Sequence, residues 1–214
     1  MKILLSFFKL FSPETSHFLA LHSLKILHKT RLLNIFFSKF EDKDFQFLGL
    51  TFKNRLGTAA GLDKNGDYID CLGDLGFGFL EVGTVTPLPQ PGNPKPRVFR
   101  LSNENAVINR LGFNNKGVDH LVNNLKNRKY KGIVGVNIGA NKSSKGQQRI
   151  NDYITCFSKV AEFADYITIN ISSPNTPGLR NLHSDENIKN LIDAIEQCAI
   201  ALNFVRPIFI KISP

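Results

Sequence analysis

The run Asn170-Ile171-Ser172-Ser173-Pro174-Asn175-Thr176-Pro177-Gly178-Leu179-Arg180 concentrates two amides, three hydroxyls and a guanidinium in eleven residues. Such groups donate, accept and, when activated, give up or take protons, the equipment for proton transfer and for gripping a planar polar ligand. Directly before the run, Tyr166-Ile167-Thr168-Ile169 is β-branched and aromatic and predicts a buried strand. Pro174, Pro177 and Gly178 prevent continuation into helix and stiffen the loop. A rigid polar loop at the C-terminal end of a buried parallel strand is where barrel and open α/β enzymes place their chemistry. In isolation the same residues also describe an ordinary turn in which Asn and Ser satisfy their own backbone.

Similar polar endings punctuate the chain upstream. Ala59-Ala60-Gly61-Leu62-Asp63-Lys64 offers close backbone approach at Gly61 and a fixed cation at Lys64. Glu81-Val82-Gly83-Thr84-Val85-Thr86-Pro87, Ile108-Asn109-Arg110-Leu111-Gly112-Phe113-Asn114-Asn115 and Val136-Asn137-Ile138-Gly139 follow in order. The elements that must position them alternate. Strands are predicted at Leu56–Ala60, Phe79–Val85, Ile133–Ile138, Asp165–Ile171 and Pro207–Ile212. Helices are predicted at Tyr68–Leu75, Val118–Arg128, Asn151–Glu162 and Asp185–Leu202, with a long polar excursion from the second strand to Asn115. Phe45 to Lys53 predicts a small hairpin turning near Gly49. Five short apolar strands separated by helices mean parallel β/α units. A doubly wound sheet shares this alternation, but its glycine-rich dinucleotide fingerprint is missing after the first strand.

Taken together, these motifs closely resemble the dihydroorotate dehydrogenase family, and in particular its membrane-associated, quinone-reducing class. The resemblance runs from about Phe11 to Pro214. It implies an α/β fold, the TIM (β/α)8 barrel, of which this chain carries roughly the first five strands, with an N-terminal helical membrane-associating segment. It also implies bound FMN and oxidation of (S)-dihydroorotate to orotate in pyrimidine (UMP) biosynthesis, with electrons passed to a membrane quinone. By the same resemblance Ala60, Gly61, Leu62, Asp63 and Lys64 hold the flavin, together with Thr84, Asn137, Asn170 and Lys211. Lys64, Asn109, Arg110, Leu111, Gly112, Phe113, Asn170 and Asn175 contact the substrate. Ser173 is the implied catalytic base, removing the C5 proton of dihydroorotate. Thr176 and Phe113 organise its proton path, and His17 and Arg100 line the quinone tunnel. The family's soluble classes use a cysteine as base. No cysteine lies near this loop, which favours the quinone class over a soluble member using fumarate or a nicotinamide acceptor.

Charge and length bound the rest. The chain has 214 residues, is 42% hydrophobic and carries a formal net charge of +9. Residues 1–40 hold six Lys or Arg residues against Glu14 alone. The arginine-aromatic repeat of single-strand nucleic-acid binders is missing, so a membrane surface explains this distribution better than nucleic acid. Leu4, Phe7, Phe8 and Phe11 share one helical face. Ser12-Pro13-Glu14 then offers a cap, a first-turn proline and an acid for a second helix, with Ala20, Leu21, Leu24 and Leu27 on one side and His22, Lys25 and Lys29 on another. Such a pair lies on a bilayer rather than across it, with its lysines toward anionic headgroups. A helical hairpin packed on the main domain is the plainer alternative. The expected division is 1–44 for membrane and quinone access and 45–214 for the partial barrel, peripheral to the cytoplasmic face of a bacterial inner membrane. Cys71, Cys156 and Cys198 show neither disulfide nor zinc spacing, and no metal site is expected. A complete barrel needs roughly 250 residues, so the chain reads as the N-terminal part of a longer protein. An inactive fragment, or a membrane-surface module, is the competing reading.

Overall fold

In the computed structural model, which describes residues 7–36, 43–173 and 185–213, the apolar runs become a parallel sheet covered by helices. Strands β3 (Phe79–Val85), β6 (Ile133–Ile138), β7 (Tyr166–Asn170) and β8 (Ile208–Lys211) pair side by side in that order, all parallel. Helices α3 (Ile69–Gly73), α4 (Val118–Asn127), α5 (Gln147–Val160) and α6 (Asp185–Ala201) supply the covering layer. The strand period of two divides the side chains. Leu80, Val82, Val134, Val136, Ile167 and Ile169 are buried in one core with Leu72, Leu121, Phe157 and Leu191 from the helices. Each such side chain contributes about 1.5–3 kcal/mol on burial.

The opposite, inner face is layered. At its N-terminal end the Phe79 and Tyr166 rings meet at 6.5 Å and the Tyr166 and Phe209 rings at 5.3 Å. Gly135 lies in this layer because a Cβ there would stand 2.0 Å from the Tyr166 ring. The antiparallel hairpin of β1 (Phe45–Phe47) and β2 (Leu50–Phe52) closes this end, with the Phe52 ring edge-on to Phe79 at 5.4 Å.

Two elements differ from the sequence expectation. Leu56–Ala60 runs parallel to β3 but forms only a single bridge, Gly57 to Phe79. The Glu81 amide donates to the Thr58 hydroxyl at 3.1 Å instead of to a main-chain carbonyl, which interrupts the ladder. The polar excursion after β3 is also not irregular throughout. It contains an antiparallel hairpin of β4 (Val98–Leu101) and β5 (Ala106–Asn109).

Near the N-terminus, α1 (Pro13–Lys29) begins as its sequence dictates, with the Ser12 hydroxyl accepting from the Thr15 amide at 3.3 Å. A short α2 (Leu33–Phe36) follows. The expected orientation of Lys25 toward headgroups is corrected. Its Nζ donates to the Asp67 carbonyl at 2.8 Å, and the His22 ring pairs with the Tyr68 hydroxyl at 3.1 Å. The polar side of α1 therefore seats on the loop before α3, while Phe18 and Ile26 are exposed. No helix among the described residues is long and apolar enough to cross a membrane.

Candidate active site

The polar groups collect at the C-terminal ends of β3, β6, β7 and β8. A register irregularity between Gly83 and Val85 swings Thr84 to the inner face. Only glycine suits position 83, where φ is +109° and a Cβ would meet the Asn137 carbonyl oxygen at 2.2 Å. Thr84 Oγ1 then donates to Asn137 Oδ1 at 2.6 Å. Asn170 Nδ2 reaches Thr84 Oγ1 at 2.9 Å and Asn137 Oδ1 at 3.2 Å. The Ser172 hydroxyl donates to Asn170 Oδ1 at 2.9 Å and accepts from Lys211 Nζ at 2.7 Å. From behind, the Tyr153 hydroxyl of α5 donates to the Asn170 carbonyl at 2.8 Å, tying the strand end to the covering layer. Thr84, Asn137, Asn170, Ser172 and Ser173 are all buried.

These groups border an inner cleft of about 540 Å³. Ala60, Gly61, Lys64, Thr84, Asn109, Leu111, Gly112, Phe113, Asn170, Ser172, Ser173 and Lys211 line it. Asn137 lies one hydrogen bond beneath that lining. Lys64 Nζ donates to Asn114 Oδ1 at 2.5 Å. Burial first and the Arg97 charge second lower the Lys64 pKa to about 8, with Glu14 opposing. Asp63 serves its own loop: its carboxylate accepts from the Asp67 and Tyr68 amides at 3.0 and 2.7 Å. Burial raises its pKa to about 6, against those two hydrogen bonds. Gln90 Nε2 donates to the Gly112 and Phe113 carbonyls at 3.1 and 3.2 Å, holding that segment over the sheet end.

An outer cleft of about 770 Å³ lies between α1 and the β4–β5 hairpin. It shares Gly61, Lys64, Asn109 and Leu111 with the inner one and adds His17, Phe18, Leu62, Arg97 and Val107. Burial, then the Lys64 charge, lowers the His17 pKa, while Glu14 and the Leu62 backbone oppose this.

Two assigned arginines fall elsewhere. Arg110 does not reach either cleft: its guanidinium bonds the Pro96 carbonyl at 2.9 and 3.2 Å and lies over the Phe99 ring. Arg100 is used as a clasp, donating to the Phe11 carbonyl and the Ser16 hydroxyl, each at 2.7 Å. Asn175 and Thr176 lie outside the described residues. Sequence reading missed Arg97, which is the arginine that does line the outer cleft. It donates to Glu14 Oε1 from Nε at 3.0 Å and from Nη2 at 2.9 Å, and to the Pro91 and Asn93 carbonyls from Nη1. It also missed Glu81, which accepts from Asn137, Tyr166 and Thr168.

Arg97 thus fastens α1 to the hairpin loop. Arg97→Ala leaves Glu14 and two carbonyls without their partner. Since Glu14 keeps about a quarter of its side chain in water, the expected loss is about 2–3 kcal/mol, below the full cost of breaking a buried pair. Thermal unfolding measures that loss, and faster proteolytic cleavage in the α1 region of the folded chain locates it. Unchanged Tm and cleavage would show that the pair does not hold α1.

The family model described as Dihydroorotate dehydrogenase matches residues 44–214. The chain is 51% identical over 211 residues to the Dihydroorotate dehydrogenase (quinone) of Saccharophagus degradans, covering 97% of this chain and 62% of that one. It is 51% identical over 206 residues to the protein of the same name from Marinobacter nauticus, covering 94% and 61%. Among solved structures, DHODH from Eimeria tenella in complex with ferulenol superposes with a TM-score of 0.79 at 35% identity, covering 94% of this chain and 59% of that one. The chain spans about three fifths of the length of the curated relatives it matches.

Proposed function

The chain belongs to the dihydroorotate dehydrogenase family, and on that premise we propose that it serves the oxidation of (S)-dihydroorotate to orotate, with electrons passing through FMN to a membrane quinone. The observation that carries this reading is the cleft lined together by Thr84, Asn170, Ser173 and Lys211 from the ends of β3, β7 and β8, by Lys64 from the loop after Ala60, and by the Leu111–Phe113 segment. The residues fit a flavin. Gly61 leaves open space where a Cβ would stand, the cleft has the volume of a small-ligand site, and its donor set combines two cations with buried amides and hydroxyls suited to the polar edge of a fused ring. Lys64, Thr84, Asn137, Asn170 and Lys211, with the backbone of 60–63, would hold it. A bound flavin supplies two-electron redox chemistry.

The chain's own residues supply the remainder. Lys64 faces the negative charge of the orotate carboxylate, and Asn109 presents both a donor and an acceptor to the pyrimidine edge. Ser173 Oγ takes the C5 proton as the C6 hydride leaves. A serine hydroxyl is a weak base, so it depends on burial away from competing water and on neighbouring hydrogen bonds. By family resemblance Asn175 adds a substrate contact, and Thr176 with Phe113 carries the proton outward. Arg110 is left out of this assignment, because its guanidinium is engaged on the hairpin.

The outer cleft is the proposed quinone site, with His17 and Arg97, in place of Arg100, as groups able to polarise a carbonyl. Phe7, Leu10, Phe11, Phe18, Ile26, Leu32 and Ile35 are exposed on the N-terminal segment. An apolar surface of this kind suits peripheral association with a membrane, here the cytoplasmic face of a bacterial inner membrane. The proposed division places 1–44 at that membrane and 45–214 in the partial barrel.

The first test is the flavin absorbance spectrum of the purified 214-residue chain, before and after anaerobic addition of dihydroorotate. A bound yellow chromophore that bleaches supports the reading, and a colourless protein overturns it for this chain. The pH dependence is a second check. A buried lysine with a pKa of about 8 is charged below that value and neutral above it. Affinity for orotate should therefore weaken as pH rises through about 8, and Lys64→Arg should move that loss to higher pH. Equilibrium titration of orotate from about pH 6.5 to about pH 9.5, a range that brackets that value, measures both. A flat profile would remove Lys64 from the carboxylate.

A further inference from the structure

The hydrogen bonds across the sheet end run in one direction. Lys211 Nζ can only donate, and it donates to Ser172 Oγ at 2.7 Å. Ser172 Oγ in turn donates to Asn170 Oδ1 at 2.9 Å. Asn170 Nδ2 donates to Thr84 Oγ1 at 2.9 Å, and Thr84 Oγ1 to Asn137 Oδ1 at 2.6 Å. Asn137 Nδ2 donates to Glu81 Oε1 at 2.9 Å. The other carboxylate oxygen receives the Tyr166 hydroxyl at 3.0 Å and the Thr168 hydroxyl at 3.2 Å.

An asparagine side chain has nearly the same shape after a half-turn about its last bond, but its donor and acceptor trade places. Sterics alone therefore orient neither Asn137 nor Asn170. Asn170 is oriented within its own loop, because the Ser172 amide, which can only donate, gives to Asn170 Oδ1 at 3.1 Å. Asn137 is oriented by the donors on one side, Thr84 Oγ1 and Asn170 Nδ2, and by the acceptor-only Glu81 carboxylate on the other, and both sides demand the same direction. Polarised chains of this kind also strengthen each of their bonds. Glu81 is not among the groups lining the cleft, and its place in the middle of β3 is fixed by the β3–β6 register.

We infer that Glu81 is a positioning residue whose carboxylate fixes the side-chain orientation of Asn137, and so decides which polar atom Asn137 offers to Thr84 and to Asn170 Nδ2 and which polar atoms this end of the sheet presents to its ligand. The consequence for cofactor binding rests on the function proposed above; the orientation itself is a property of the chain.

The test uses side-chain amide NMR of the full chain selectively labelled with 15N-asparagine, with Tm recorded for every variant. In Glu81→Gln the chain loses its fixed direction, because glutamine can offer Asn137 either a donor or an acceptor. The Asn137 and Asn170 Nδ2 signals are then expected to shift or broaden. The exchanged pair Glu81→Gln with Asn137→Asp restores the direction: the amide introduced on β3 donates to the carboxylate introduced on β6, which accepts from Thr84 and Asn170 as the native amide oxygen does. In that double variant the Asn170 signal should return to its wild-type position. If Glu81→Gln does not fold, Glu81→Asp keeps the acceptor but shortens its reach, and a smaller shift of the same signals is expected. Asn170 signals unchanged in a folded single variant, or not restored in a folded double variant, would overturn the inference. FMN titration gives the functional readout: about tenfold weaker binding in the single variant. A wild-type chain that binds no FMN overturns the functional reading instead, while the Asn170 signal still decides the role of Glu81.

Discussion

Replacing Ser173 by alanine should lower turnover of dihydroorotate about 100- to 10,000-fold, the range removed with a general acid–base group, while flavin content and the unfolding temperature stay near wild type. The expectation follows from placement. Ser173 is 9% exposed and lines the inner cleft, and the hydroxyl beside it, Ser172, links Asn170 to Lys211. The two serines therefore separate experimentally. Ser172→Ala breaks the polar chain and should weaken cofactor binding, and Ser173→Ala should leave binding alone and stop the proton transfer. Ser173→Cys should recover part of the turnover with its pH optimum moved down, because a thiol loses its proton more readily than an alcohol. Single-turnover reduction by dihydroorotate measures the step directly. A Ser173→Ala rate within a few-fold of wild type would assign the proton to another group.

The largest stability effect is expected at Phe157. Its ring is fully buried and meets Phe204 edge-on at 5.1 Å. Truncation to alanine removes that contact and leaves a cavity between α5 and the segment before β8, costing about 3–5 kcal/mol. A domain with about 5–15 kcal/mol in total would then be close to unfolding at physiological temperature. The damage should reach the site, because α5 also carries Tyr153 and its hydrogen bond to Asn170. Urea denaturation of the variant tests this, with Cys156→Ala as a milder neighbour on the same helix. A loss below about 1 kcal/mol for Phe157→Ala, well under the cost of an unrelaxed cavity, would mean that the helix layer closes over the gap.

What the sequence made legible was set by how much of each pattern is local. Phe79–Val85 and Ile133–Ile138 were readable to the residue, because runs rich in β-branched and other apolar residues, bounded by glycine and polar residues, fix strands buried on one face and partly on the other. The β4–β5 hairpin was not, since its β5 strand is exposed at every residue and shows no inside-outside alternation. Leu56–Ala60 has the composition of a strand, yet whether it joins the ladder depends on Thr58 competing for the Glu81 amide, a contact across 23 residues. Thr84, Asn137, Asn170 and Lys211 were found from motifs and converge in space. Arg97 and Arg100 sit three residues apart at one end of the hairpin, and only the docking of Glu14 from α1 tells them apart. Glu81 lay inside a quoted motif and passed as a strand residue, because its partners come from two other strands.

The two clefts are built from different parts of the chain. The inner one belongs to strand ends locked by a shared hydrogen-bond chain, and the outer one to α1 and a hairpin held by a few arginine contacts, with only Gly61, Lys64, Asn109 and Leu111 common to both. A change of shape on α1 or the hairpin would therefore alter what enters the outer cleft while the hydrogen-bond chain that holds the inner one stays in place, and the shared Lys64 and Asn109 are where an occupant of one cleft would be felt in the other.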